Sequence, residues 1–376
     1  MATAATKKFR VLIVDDSAFM RKVLESIFNA DEQLHVVGHA KDGREAITLS
    51  ESLKPDVITM DLNMPHLDGL QATAHIMTNS PRPIVIVSSE SKEGAASTLK
   101  ALELGAIDFV AKPSAGIDLD MQSVKEEMLR KVRVAAKVRV VRTASRLANA
   151  VQAPPKPGGS SPAPARPASG AVLASSDLRF PIVIVGASTG GPATIMRMAP
   201  GFTRDFPAAV VLVQHMPASF TSQYAVQLAE FTGIRVKEAE VNEPLTPGAL
   251  YICPGGQHLR ITPTGRIELD ATSGRIEGYL PNIDVTMESA ASYAGAMSIG
   301  VVLTGMGSDG TRGARAIKNA GGLVLAQDEA TSVIFGMPAE AIKAGVVDQT
   351  LGIDDIYAAI EKRVLGLCRA TPVGVR

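Results

Sequence analysis

Short apolar runs separated by amphipathic stretches of helical length recur along the first part of the chain, at residues 11–14, 57–60, 84–87 and 107–110. Such runs are rich in β-branched residues and do not alternate with polar ones, which predicts strands buried on both faces. Their alternation with helices predicts a parallel sheet built from βα units. The rhythm stops between Ala153 and Ser176, where Pro, Gly, Ser and Ala crowd out almost every large apolar residue. A segment this poor in apolar side chains cannot offset its ordering entropy, and it reads as a flexible or semi-extended tether. The rhythm resumes at residues 182–185, 209–213, 299–303 and 323–326, while the Gly- and Pro-rich stretch 248–276 predicts an insert of β-hairpins. The chain is therefore expected to hold an α/β domain over residues 1–140, a linker over 141–178 and a second, doubly wound and mostly parallel α/β domain over 179–370.

Bulk composition narrows the function classes. With 376 residues the chain is long enough for two ordinary domains. Lys+Arg and Asp+Glu balance at 38 each, so no overall field recruits nucleic acid or an anionic membrane. Two cysteines, Cys253 and Cys368, are too few for a disulfide framework or a cysteine-based zinc site and suit a reducing compartment. The first ten residues carry Lys7, Lys8 and Arg10 with no signal-peptide apolar core, and a cytoplasmic location is expected. The basic stretch 125–146 reads as the last helix of the first domain running into solvent, since it lacks the interleaved aromatics of a nucleic-acid surface.

Two groups of residues carry chemistry. In Gly186-Ala187-Ser188-Thr189-Gly190-Gly191, an apolar strand ends in a glycine turn that leaves a serine uncovered and backbone N–H groups free to face an anion. A serine nucleophile needs a base, and the second domain offers only His215 and His258. His215 follows a strand on the same sheet edge as Ser188 and is favoured, with His258 kept as a rim residue. Asp270, Asp284, Asp309 and Asp328 are the candidate acids; Asp309, in a glycine loop directly after a strand, is best placed to reach the imidazole, and Asp284 reads as a helix cap. No Gly-x-Gly-x-x-Gly or Gly-Lys-Ser/Thr motif supports a nucleotide site. In the first domain Asp15, Asp16 and Asp61 follow strands whose ends share one edge, and three such carboxylates call for a hard divalent cation, Mg²⁺. Ser88 and Lys112 at two further strand ends complete a phosphoryl-transfer cradle, whereas Asp56 precedes its strand and is rejected as acceptor.

On Val14-Asp15-Asp16-Ser17, Met60-Asp61-Leu62-Asn63-Met64-Pro65 and Lys112-Pro113, the first domain resembles a response-regulator receiver. That resemblance implies a flavodoxin-like five-stranded parallel sheet and phosphorylation of Asp61 by a histidine kinase. It further implies Mg²⁺ held by Asp15, Asp16 and Asp61 with the Asn63 carbonyl, phosphoryl oxygens bound by Ser88 and Lys112, Phe109 as the switch aromatic, and a cis Lys112–Pro113 bond. On the Ser188 turn, Gln214-His215-Met216-Pro217, Gly305-Met306-Gly307-Ser308-Asp309-Gly310 and Phe335-Gly336-Met337-Pro338, the second domain resembles the chemotaxis protein-glutamate methylesterases. The implied activity is serine carboxylic-ester hydrolysis of methylated glutamates, with deamidation of glutamines, on methyl-accepting chemoreceptors, needing no cofactor for the ester chemistry. The implied roles are Ser188 as nucleophile, His215 as base and Asp309 as its orienter, with Thr189 and the Met306 N–H as oxyanion candidates. Two departures stand out: the linker is long, and Asn282 replaces an expected serine in Pro281-Asn282-Ile283-Asp284, bearing on a substrate-rim contact. The rival reading is a receiver whose second domain only binds a partner.

Overall fold

The computed structural model describes residues 8–88, 91–112, 121–138 and 180–370. The linker and the Lys112–Pro113 bond lie outside the described residues, as does the basic stretch beyond Val138.

In the first unit β1 (Phe9–Val14), α1 (Ala18–Asn29), β2 (Leu34–Ala40), α2 (Gly43–Leu53), β3 (Val57–Met60), α3 (Gly69–Asn79), β4 (Ile84–Ser88), α4 (Lys92–Glu103), β5 (Asp108–Ala111) and α5 (Met121–Ala135) alternate strictly. The strands form a parallel sheet in the order β2-β1-β3-β4-β5. Chain order reverses between β1 and β3, and a reversal opens a crevice at the strands' C-terminal ends. The four apolar runs of the sequence are four of these strands. The fifth, β2, has no such run because Leu34 and Ala40 are buried while the residues between them are half-buried or exposed.

The second unit runs β6 (Ile182–Ala187), α6 (Gly191–Met198), β7 (Ala209–Gln214), α7 (Ala218–Ala229), β8 (Arg235–Glu238), β9 (Ala249–Ile252), β10 (His258–Ile261), β11 (Ile267–Asp270), α8 (Ile283–Ala294), β12 (Ser298–Val302), α9 (Thr311–Asn319), β13 (Leu323–Gln327), α10 (Met337–Lys343), β14 (Gln349–Leu351) and α11 (Ile353–Ala370). Seven strands make one parallel sheet in the order β14-β13-β12-β6-β7-β9-β8. The expected hairpin insert is smaller than residues 248–276: β9 belongs to the main sheet, fully buried beside β7, and only β10 and β11 pair as an antiparallel hairpin. β6, with β7 on one side and β12 on the other, is buried along its whole length and marks the reversal of this sheet.

The two units pack directly. α4 lies against α7, Gln227 donates a hydrogen bond to Glu103, and one apolar cluster runs from the first sheet into the second. Among the described residues no helix is long and apolar enough to cross a membrane.

Candidate functional site

Both reversal points carry the polar residues singled out in the sequence. In the second unit, Ser188 follows the central strand β6, His215 follows β7 and Asp309 lies in the loop after β12. Parallel neighbours run about 4.8 Å apart. Ala187 pairs with Gln214, and the His215 N–H donates to the Ala187 carbonyl at 3.0 Å, so Ser188 and His215 leave the sheet side by side.

The turn at Ser188 is held from several directions. Its N–H donates to the Thr304 carbonyl at 3.0 Å and its carbonyl accepts from the Gly191 N–H at 2.8 Å. Gln214, 2% exposed, donates its side-chain amide to the Ser188 carbonyl at 2.9 Å and to the His215 carbonyl at 3.2 Å, clamping the two loops together. Gly190 takes φ +76°, a left-handed conformation that glycine adopts without cost. Glycine is also required at Gly305, where an added Cβ would lie 2.7 Å from the Ser188 Cβ. The Phe335-Gly336-Met337-Pro338 motif fixes that loop: the Gly336 and Met337 N–H groups donate to the Gly305 carbonyl at 3.1 and 2.8 Å.

Asp309 is 1% exposed, and its carboxylate is fully engaged. It faces His215 Nε2 at 2.8 Å and accepts the N–H groups of Ile283 at 2.8 Å, Asp284 at 3.0 Å and Gly310 at 2.9 Å. Two of those donors open helix α8, so the helix N-terminus supplies the hydrogen bonds a buried carboxylate needs. Asp309 therefore does not cap its own helix α9, whose N-cap is Gly310. With Nε2 on the carboxylate, the other ring nitrogen of His215, Nδ1, is buried without a hydrogen-bond partner among the described residues. The local hydrogen bonds use the Ser188, Gly191 and Gly305 N–H groups and leave those of Thr189 and Met306 without a partner among the described residues. Thr189 is buried, and its carbonyl accepts from the Thr304 hydroxyl at 3.0 Å.

Several expectations change. His258 is not a rim residue: it is fully buried in the hairpin, with Nε2 2.8 Å from the Gly274 carbonyl. Asp284 does not cap α8; Asn282 does, accepting from the Val285 N–H at 3.0 Å. Asn282 is itself fully buried, so its replacement of serine exchanges one good helix cap for another and touches no substrate rim. Asp284 instead accepts the Gly313 N–H at 2.6 Å, and burial pushes its carboxyl up to about 6. Asp270 is tied to Thr272 and Ser273, and Asp328 to Thr331, both away from His215. Tyr279 went unnoticed in the sequence. It stacks on the His215 ring with centroids 4.4 Å apart and planes 16° apart. The signal available was the Glu277-Gly278 pair before it, a two-residue turn sequence.

In the first unit the reversal point brings carboxylate oxygens of Asp15, Asp16 and Asp61 within 4.8 Å of one another. Asp15 and Asp61 are buried, and Asp16 is exposed. Lys112 Nζ stands between the two buried ones, 3.0 Å from Asp15 and 2.8 Å from Asp61. Burial raises the Asp61 carboxyl above its ordinary range, opposed by Lys112. Burial alone would lower the Lys112 ammonium, but Asp61 and Asp15 outweigh it and raise it. Ser17, not Asp15 or Asp16, caps α1. Asn63 is exposed, with its N–H on Asp61 at 3.3 Å, and Ser88 is buried at the end of β4. Asp56 accepts from the Arg10 N–H at 2.7 Å, a structural role at the opposite end of its strand. An all-oxygen, mostly anionic cluster of this kind fits a hard divalent cation such as Mg²⁺.

The first unit approaches the loop of Met306 through α5 and the residues just after it. Arg130, Arg133, Val134 and Lys137 line a cavity of about 220 Å³ with Gln33 and Met306.

Comparison with known proteins bears on both halves. The family profile of the CheB methylesterase matches residues 183–360, and that of the response regulator receiver domain matches residues 11–122. A protein-glutamate methylesterase/protein-glutamine glutaminase 1 of Oleidesulfovibrio alaskensis is 41% identical over 365 residues, covering 94% of this chain and 99% of its own. The protein-glutamate methylesterase/protein-glutamine glutaminase of Pyrococcus horikoshii is 41% identical over 367 residues, covering 95% and 94%. The crystal structure of the Thermotoga maritima CheB methylesterase catalytic domain is 39% identical with a TM-score of 0.48, covering 49% of this chain and 99% of that one.

Proposed function

The chain belongs to the protein-glutamate methylesterase/protein-glutamine glutaminase family, and we propose that Ser188, His215 and Asp309 perform the hydrolysis under the control of Asp61. The carrying observation is the His215–Asp309 contact of 2.8 Å, made between the loops that follow the two strands flanking β6, which Ser188 itself follows. Asp309 fixes the tautomer with the proton on Nε2, which leaves Nδ1 to take the Ser188 proton. Ser188 Oγ then attacks the γ-ester carbonyl of a receptor glutamate, and the N–H groups of Thr189 and Met306 receive the oxyanion. His215 returns the proton to the departing methanol, leaving an acyl-enzyme. It next draws a proton from water, whose hydroxyl attacks the acyl carbon; the imidazolium returns that proton to the departing Ser188 Oγ, and the released glutamic acid ionises to its carboxylate. A glutamine side chain follows the same course with ammonia leaving. No metal is required by these steps.

In the receiver, residues 1–140, Asp61 accepts a phosphoryl group from the histidine kinase of a chemotaxis-type system. Asp15, Asp16 and Asp61, with the Asn63 carbonyl, would hold Mg²⁺, which neutralises the charge that develops on the transferred group. Ser88 and Lys112 bind its oxygens. Phosphorylation adds about −2 of charge beside Lys112 and changes how the receiver sits on the esterase domain, residues 179–370, across the 141–178 linker. Ser188 is 9% exposed with α5 beside Met306, which supports a receiver that restricts access to the serine until Asp61 is phosphorylated. The substrates are methyl-accepting chemoreceptors.

Methanol release from methylated receptor tests the reading, with and without acetyl phosphate and Mg²⁺, in the wild type and in Ser188→Ala. The expected result is release that rises with phosphodonor and vanishes in the variant. Release that survives the substitution would overturn the assignment, and its absence from wild type would favour the binding-only rival.

A further inference from the structure

A single hydrogen bond to Asp309 leaves the His215 imidazole free to rock about the Nε2···Oδ2 line, so that Nδ1 need not face Ser188. Tyr279 removes that freedom, because its ring lies 4.4 Å from the imidazole and only 16° from parallel. The same side chain reaches the oxyanion loop, where its hydroxyl donates to the Met306 carbonyl at 3.3 Å. The loop is shaped around that hydroxyl: Gly307 takes φ +94°, and a Cβ added there would lie 2.1 Å from the Tyr279 oxygen.

Tyr279 is in turn rigidly carried. Ile276 and Tyr279 exchange N–H···O bonds of 3.0 Å, and the residues between them, Glu277 and Gly278, have φ of +52° and +87°. Positive φ at both central positions is the geometry of a tight type I′ hairpin turn. Glu277 is anchored further by Arg312 at 2.8 Å. Burial raises the phenol above its ordinary range, so at neutral pH it is a neutral donor to Met306.

We propose that Tyr279 is a positioning residue of the esterase, its ring holding the plane of His215 and its hydroxyl holding the Met306 loop. It binds no substrate atom. Its ring face also stabilises the positive charge that His215 gains on taking the Ser188 proton. The inference rests on the triad reading above, so its test must separate the two.

The experiment compares Tyr279→Leu, Tyr279→Phe and Ser188→Ala in the full chain with acetyl phosphate and Mg²⁺, following methanol release and the thermal midpoint. Loss of the ring in Tyr279→Leu is expected to lower kcat about 10- to 100-fold with KM within about twofold, the cost of a misaligned base. Tyr279→Phe keeps the stack, restores most of that loss and remains about threefold below wild type for want of the hydroxyl. If Tyr279→Leu melts early, the Phe variant alone decides: wild-type kcat refutes the hydroxyl's role, and a kcat lowered about 10-fold or more refutes the ring's. A Tyr279→Leu kcat within twofold of wild type while Ser188→Ala is dead overturns this proposal alone. An active Ser188→Ala overturns the triad reading instead.

Discussion

Phe109 of the receiver and Phe220 of the esterase domain pack ring against ring across the junction, with centroids 4.4 Å apart and planes tilted by 37°. Both are buried, and Phe109 stands on β5 three residues before Lys112, the cation shared by Asp15 and Asp61. If Lys112 engages a phosphoryl group as proposed, its shift would pull on the strand that carries one half of this ring pair. An aromatic pair contributes about 1 kcal/mol beyond its buried area. Phe109→Leu keeps apolar bulk but loses that pairing, and methanol release without phosphodonor is expected to rise about fivefold. An unchanged basal rate would mean that the ring pair does not hold the restricted arrangement.

Asp309 has two jobs that substitution can separate. Asp309→Asn keeps an acceptor but places an amide against His215 Nε2, favouring the wrong tautomer, and kcat is expected to fall about 10⁴-fold. Asp309→Ala also strands the N–H groups of Ile283, Asp284 and Gly310 and should lower unfolding stability by about 3 kcal/mol or more. Urea unfolding of both variants distinguishes the jobs. Equal stability losses in Asn and Ala would show that the charge, and not the hydrogen bonding, matters to the fold.

The sequence revealed those parts of the site that lie on apolar strands and glycine turns. Ser188, His215, Asp309, Asp15, Asp61 and Lys112 each follow a buried run, so one-dimensional order was enough to place them on an edge. Strands β8 and β14 escaped because they form the sheet margins, where Arg235 and Gln349 are exposed and no apolar run is needed. β9 was mistaken for part of a hairpin because glycine and proline flank a main-sheet strand. The roles of Gln214, Thr304 and Tyr279 were not readable for another reason: each acts on a residue brought close only by sheet register or by the Glu277-Gly278 turn. His258 shows the converse, since nothing in its local sequence says that the hairpin buries it.

The receiver's carboxylates repel one another, with Lys112 between the buried pair. Asp61→Asn removes one charge and, with it, the proposed phosphoryl acceptor. The variant is expected to lose all stimulation by acetyl phosphate and Mg²⁺ while its basal methanol release stays within about twofold of wild type, and its thermal midpoint should rise. Chelating Mg²⁺ from the wild type should abolish the stimulation equally. Stimulation that persists in Asp61→Asn would move the acceptor elsewhere.

Asp284 provides a pH signature separate from catalysis. Burial first, and the neighbouring Asp309 charge as well, push its carboxyl up to about 6 from 3.8, against the Gly313 N–H, which favours the anion. Because the folded state holds this proton more tightly than the unfolded chain, the favourable contribution is complete below the unfolded value. It is lost as pH rises through the folded one, from about 4 to about 6. Asp284→Asn keeps an acceptor for Gly313 and cannot ionise. Its thermal midpoint is therefore expected to match wild type near pH 4, where both side chains are neutral, and to exceed it at pH 7. Midpoints measured across that range decide the matter: a difference that is independent of pH would show that Asp284 is already ionised at the acidic end, with Gly313 winning over burial.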